Sequence, residues 1–172
     1  PMLRVWMSEG VPPQPCEVEW PGRWVAEENW PPAGIVPEVH LLDDHRLVKK
    51  SESANKVTLL GAQINGATAG VWCPYGNKFG MPIDQRTDDG LSLCFTSVPA
   101  DQAMEILGFP EVKLKLSVDQ PDALLAVRLC DIAPDGASRL VSWGLLNLTH
   151  RDGHDEPKPL KPGEIYQVAV QL

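Results

Sequence analysis

The stretch that decides the fold is Val112–Arg151, VKLKLSVDQPDALLAVRLCDIAPDGASRLVSWGLLNLTHR, in which three strand-like runs are joined by two turn signals. From Val112 to Asp119 the apolar Val112, Leu114, Leu116 and Val118 alternate with Lys113, Lys115, Ser117 and Asp119. A period of two gives a strand one apolar and one wet face, whereas on a helix it would scatter the apolar groups around the axis. Gln120-Pro121-Asp122 breaks the run, and a second begins with Leu125, Val127 and Leu129. Pro134-Asp135-Gly136 then turns the chain into a third, from Leu140 to Leu148. Proline presets φ and glycine supplies positive φ, so both punctuate strands. The expectation is a run of consecutive antiparallel strands.

Working outward, Leu3, Val5 and Met7 alternate with Arg4, Trp6 and Ser8, and Tyr166, Val168, Val170 and Leu172 alternate with Gln167, Ala169 and Gln171. Both ends of the chain therefore read as strands, and an opening in mid-strand at Pro1 suggests a piece of something longer. Short strands are expected at Glu38–Leu42, Val57–Leu60 and Leu91–Ser97, separated by turn chemistry at Asn65-Gly66, Tyr75-Gly76-Asn77 and Asp88-Asp89-Gly90. Residues 9–37 carry Pro12, Pro13, Pro15, Pro21, Pro31, Pro32 and Pro37 together with Trp20, Trp24 and Trp30. They read as one long ordered loop, because tryptophans can pin an irregular backbone to a surface where a disordered segment would lack aromatics. Ala100–Leu107 has helical propensity for about two turns between Pro99 and Gly108, or forms a short strand through Met104–Leu107. Short strands at this spacing predict an all-β, two-sheet jelly-roll sandwich with little helix, a closed barrel being the alternative.

The length of 172 residues suits a single domain that builds its own core. Its 17 prolines are roughly twice the usual share of about 5% and leave little room for long helices. A net charge of -8 without any Lys/Arg-rich block excludes nucleic acid and anionic membrane surfaces as partners, since both require a positive field. No apolar run approaches the ~20 residues that span a bilayer, and the first residues lack the pattern of a signal peptide. Cys16, Cys73, Cys94 and Cys130 stand far apart with no Cys-x-x-Cys pair, which argues against zinc ribbons and thioredoxin chemistry. Cys94 and Cys130 fall inside strand patterns, where a reduced thiol acts as a small core hydrophobe, and reduced cysteines point to the cytoplasm.

The chain holds no Gly-x-Ser-x-Gly elbow, whose glycines permit the strained turn under a hydrolase serine. In Gly136-Ala137-Ser138-Arg139-Leu140 the second glycine is missing, and Ser138 reads as a turn residue. His150 and His154, near Asp152, Asp155 and Glu156, have a spacing that would suit ligands on a helix face, but Asp152-Gly153 and Pro157 make this a loop where the spacing loses its meaning. His40 and His45 flank Asp43-Asp44 in the same way, and Asp84–Gly90 lacks the alternating acidic positions of a calcium loop. No catalytic residue, cofactor or metal is assigned. Arg86 is expected to pair with Asp84, Asp88 or Asp89, and Arg151 with Asp152, ordering their loops or docking another domain.

Together the segments Pro21-Gly22-Arg23-Trp24 with Asn29-Trp30-Pro31, Asp84-Gln85-Arg86 with Asp88-Asp89-Gly90-Leu91-Ser92-Leu93, Val127–Asp131 with Pro134-Asp135-Gly136, Gly144–Arg151, and Leu160-Lys161-Pro162-Gly163 resemble the C-terminal non-catalytic domain of X-Pro dipeptidyl-peptidase and cocaine-esterase-like serine hydrolases. The resemblance spans nearly the whole chain. It implies a galactose-binding-like jelly roll that follows an α/β-hydrolase domain holding the Ser, Asp and His of the triad. It also implies further strands with a Gly-His-Arg segment past the position of Leu172. On this reading the segment is inactive alone, and it packs on the α/β-hydrolase domain of the parent chain through Trp20, Trp24, Trp30, Asp84, Arg86, Asp88, Asp89, His150 and Arg151. A free-standing carbohydrate-binding module stacking sugars on Trp20, Trp24 or Trp30 is the rival reading, and a hydrolase of its own kind a third. A bare edge near Tyr166–Leu172 would favour a homo-oligomer.

Overall fold

A computed structural model of the protein describes residues 3–16, 19–51, 56–71, 75 and 79–172. It is built of strands: β1 (Leu3–Ser8), β2 (Gly22–Glu27), β3 (Leu41–Asp43), β4 (Arg46–Val48), β5 (Glu111–Leu116), β6 (Leu124–Ile132), β7 (Ser138–Asn147) and β8 (Tyr166–Gln171). The helices among the described residues are the single turn α1 (Arg86–Asp89) and a 3-10 turn, Leu148–His150. The strands pair as β1–β2, β3–β4, β5–β8 and β6–β7. The chain divides into two compact units, Pro1–Leu107 with the hairpin tip Ala133–Arg139, and Gly108–Ile132 with Leu140–Leu172.

In the second unit the alternation of β5 appears as expected, with Val112, Leu114 and Leu116 half-buried and Glu111, Lys113 and Lys115 exposed. Its hydrogen-bonded partner is antiparallel β8, in the register Val112↔Val170, Leu114↔Val168 and Leu116↔Tyr166. The expectation of consecutive pairing therefore holds for β6 and β7, joined at Ala133–Ala137 where Gly136 takes φ +86, but not for β5 and β6. Gln120-Pro121-Asp122 is a longer connection, and Pro121 O accepts from Leu160 N at 2.8 Å, so it is tied to the chain before β8. Leu148, Leu160 and Val168 form a buried cluster in this unit, with Leu114, Leu116, Val118, Ala123, Leu125, Leu146 and Tyr166 packed around them, and Val170 is buried as well.

The first unit departs further from expectation. Residues 9–37 contain β2, which pairs with β1 across Leu3↔Glu27 to Ser8↔Gly22. β3 and β4 form a hairpin whose two turn residues, Asp44 and His45, take φ +42 and +62, the left-handed geometry of a two-residue loop. Val57–Leu60 and Leu91–Ser97 are not strands; the latter contributes one bridge, Thr96 to Arg46. Ala100–Leu107 is neither helix nor strand. Residue composition was insufficient there, because a strand exists only where a partner edge accepts its hydrogen bonds. Cys16, Cys94 and Cys130 form no disulfide with one another and are half-buried rather than sealed in a core, while Cys73 and the Gly76-Asn77 turn lie outside the described residues.

Candidate functional site

In the first unit, the side chains that are buried among the described residues are polar apart from Pro32: Thr68, Gln85, Asp88 and Ser138. A buried polar group must be paired or it costs free energy, and most of these are paired with one another. Asp88, 0% exposed, accepts through Oδ2 from Thr68 N at 2.9 Å and Thr68 Oγ1 at 2.5 Å. Gln85 Nε2 donates to Thr68 O and Ile83 O, both at 2.6 Å, and Gln85 N donates to Ser138 O at 2.8 Å. Just before α1, Asp84 accepts through Oδ2 from Arg86 Nε at 2.8 Å and from Arg86 NH2, and through Oδ1 from Arg86 N at 3.1 Å and Ser138 N at 3.2 Å. The Arg86 side chain is the main reason that the Asp84 carboxyl lies at about 2, below the ordinary carboxylate range.

Of the pairs expected for Arg86, then, Asp84 is the one formed. Asp88 has no surface to offer a partner and is corrected from a docking residue to an internal one. Asp89 is half-buried, and its carbonyl accepts from Cys94 Sγ at 3.3 Å. Ser138 is the first residue of β7, 1% exposed, and its hydroxyl has no hydrogen-bond partner among the described residues. No imidazole is bonded to it, so it lacks the general base that would activate a serine nucleophile.

An aromatic face lies on the β1–β2 ladder. Trp6 and Trp24 are cross-strand neighbours in edge-to-face contact, with centroids 5.4 Å apart and planes at 71°. Gly22 lets the Trp6 ring lie on the strand, because a Cβ there would stand 2.7 Å from Trp6 Nε1. Trp24 remains 70% exposed and Trp30 is half exposed. Trp20 has the Arg139 guanidinium 5.1 Å above its ring, and Arg139 is held in turn by Glu9 O at 2.9 Å.

In the second unit, β7 has an apolar outer face. Leu140, Ser142, Gly144 and Leu146 point inward, while Val141, Trp143 and Leu145 are exposed. The sequence reading passed over Trp6, Val141, Trp143 and Leu145. The signal was present in Leu140–Leu148, where apolar residues occupy both parities, the mark of a strand covered on both faces. At the end of β7, Asn147 Oδ1 accepts from Thr149 N at 3.0 Å and Thr149 Oγ1 at 2.8 Å, starting the 3-10 turn. Arg151 donates through NH1 to Leu148 O at 3.0 Å and Lys158 O at 2.7 Å, and lies 4.5 Å over the Tyr166 ring. Its expected pair with Asp152 is looser, at 3.9 Å. With its side chain 12% exposed, Arg151 clamps the 148–158 loop from within. His150 and His154 place their Nδ1 atoms 3.1 Å apart.

Among the described residues no three His, Cys, Asp or Glu side chains come together as a metal site, and no helix is long and apolar enough to cross a membrane. Comparison with known proteins matches residues 1–172 to the family model of the X-Pro dipeptidyl-peptidase C-terminal non-catalytic domain. A protein of Mycobacterium bovis named as a serine esterase is 27% identical over 144 residues, 81% of this chain and 23% of its own length. A similarly named protein of Mycobacterium tuberculosis matches to the same extent. The cocaine esterase of a Rhodococcus species is 28% identical over 93 residues, 53% of this chain and 16% of that enzyme. The chain thus spans about a quarter or less of the length of the curated relatives that it matches.

Proposed function

Since the chain belongs to the family of X-Pro dipeptidyl-peptidase C-terminal non-catalytic domains, we propose that it is the jelly-roll accessory domain of a serine acyl hydrolase, packing on an α/β-hydrolase domain and helping to shape its substrate cleft. The observation that carries the docking is the outer face of β7, where Val141, Trp143 and Leu145 stand exposed on a strand that is also apolar inward. Exposed apolar groups in such a row mark a surface that another protein covers. Trp24, Trp30, the uncovered side of Trp20, Asp89, and Arg86 held by Asp84 are further candidates for that contact in the first unit, and His150 in the second. Asp84 and Arg151 act here as positioning residues, orienting Arg86 and the His150 loop.

On this reading the isolated chain is inert. The test is turnover of a p-nitrophenyl ester by the purified chain. A rate matching a full-length esterase of the family, abolished by a serine-directed fluorophosphonate, would overturn the proposal. In a full-length parent, oxidative footprinting is expected to find Trp143 protected relative to the isolated chain.

A second reading is a carbohydrate-binding module, favoured by the exposed Trp6–Trp24 pair. Trp20 is the weaker platform, since Arg139 occupies one face of its ring. Saturable quenching of tryptophan fluorescence by a simple sugar, lost in Trp24→Ala, would promote this reading. A null glycan screen would remove it.

A further inference from the structure

The His150–His154 pair is used by nothing in the docking argument beyond the position of His150, and its geometry is that of a chelate. The 3-10 turn capped by Asn147 presents the His150 ring, and Gly153 N then donates to His150 O at 3.0 Å. Gly153 adopts φ +145, a conformation that residues with a Cβ rarely take, and so folds the chain back to set His154 beside His150. The ring centroids are 5.2 Å apart and the two Nδ1 atoms 3.1 Å apart. Imidazole nitrogens bind zinc at about 2.0–2.1 Å, so two of them at angles of about 90–110° lie roughly 2.9–3.4 Å from each other. The observed separation falls inside that bite.

We propose that His150 and His154 form a two-imidazole chelate, through both Nδ1 atoms, for a first-row divalent cation of the zinc, nickel and copper type. Imidazole is the ligand that these ions favour, whereas calcium and magnesium favour oxygen. The platform is preorganised, because Arg151 ties Leu148 O to Lys158 O across the base of the loop. The charged groups around the pair are Arg151, Asp152, Asp155, Glu156 and Lys158. Asp152 lies 3.6 Å from Lys158 Nζ and 3.9 Å from Arg151 Nε, and so offsets them. Asp155 and Glu156 make no ion pair among the described residues and balance the incoming charge. In the apo pair one Nδ1 carries the hydrogen that the other accepts. Binding uses the lone pairs of both Nδ1 atoms, so the hydrogen between them moves to the Nε2 of its own ring, a change of tautomer. The remaining coordination positions are open to water or a carboxylate.

The test is titration of the chain with zinc chloride, read by 15N resonances of the imidazoles. The expected result is saturation at one zinc per chain, with His150 and His154 shifting together and His40 and His45 still. Affinity should fall about tenfold or more in H154Q, since even loss of an outer-shell partner costs that much. His154 is exposed, so this variant leaves the fold intact, and an unchanged thermal midpoint without zinc checks it; H150Q is the companion. Absence of saturable binding, shifts confined to His40 and His45, equal affinity in H154Q, or an equal response to calcium chloride would each overturn the proposal.

Discussion

Replacing Gly144 by alanine isolates the closeness of the packing in the second unit. Gly144 sits on the inward face of β7, and a Cβ built there stands 2.1 Å from the carbonyl oxygen of Gln171 and 2.9 Å from a Val170 methyl. Its φ is not in the left-handed region, so alanine meets no backbone penalty and the whole cost is steric. Overpacking typically costs 1–3 kcal/mol, and because the obstacle here is the backbone of β8 rather than a side chain that can swing away, we expect about 3 kcal/mol. With an m-value of about 2 kcal/mol/M for urea, the unfolding midpoint should fall by about 1.5 M. Two controls separate the causes. Gly163, at φ +80 with nothing within 4 Å, should lose about 1 kcal/mol as alanine, from backbone conformation alone. Gly90, at φ -63 with its nearest neighbour 3.5 Å away, should be neutral or gain about 0.5 kcal/mol, by narrowing the unfolded ensemble. If Gly144→Ala unfolds within about 0.5 kcal/mol of the parent chain, β7 and β8 do not approach as described and the reasoning fails.

The Asp84 carboxyl lies at about 2 in the fold against about 3.9 when unfolded, so its contribution is complete above about pH 5 and is lost as pH falls through 2. The unfolding midpoint of Asp84→Asn should therefore sit below that of the parent at pH 5 and converge on it near pH 2, and a gap independent of pH would refute the pairing with Arg86. Leu148→Ala, at a position 2% exposed in the cluster with Leu160 and Val168, should cost about 2–5 kcal/mol by chemical denaturation; a loss under about 1 would show that the core lies elsewhere. β5 pairs on one edge with β8, and Lys113 and Lys115 line its outer face, the placement by which natural sheets discourage edge pairing. Lys113→Val/Lys115→Val should raise the weight-average mass by light scattering above that of the parent at equal concentration, and equal masses would mean that the lysines guard nothing. The same measurement tests the proposed self-association of the parent, which a clean monomer at high concentration would remove.

Much of the second unit was legible because strand alternation is a local property. Val112–Leu116, Leu125–Leu129 and Tyr166–Gln171 carry it, and they are β5, the heart of β6, and β8. Their pairing was not legible, since nothing within Glu111–Leu116 says that its partner is β8, on the far side of the β6–β7 hairpin. In the first unit the proline-rich stretch hid β2, where Gly22 and Trp24 make sense only opposite Ser8 and Trp6. Val57–Leu60 had the residues of a strand and no edge to join. Asp88 read as a loop acid because sequence shows charge and not depth, and its role comes from Thr68, twenty residues earlier.

Taken alone, the sequence determined the class of the fold, the family, and the lack of a nucleophile elbow, because these depend on period, motif order and the residue types present. Tertiary structure decided which strands share edges, that Asp88 is internal, that β7 leaves Trp143 uncovered, and that His150 and His154 meet across a left-handed glycine. Those outcomes turn on which distant groups satisfy one another's hydrogen bonds and bury one another's surface, and no local pattern encodes that.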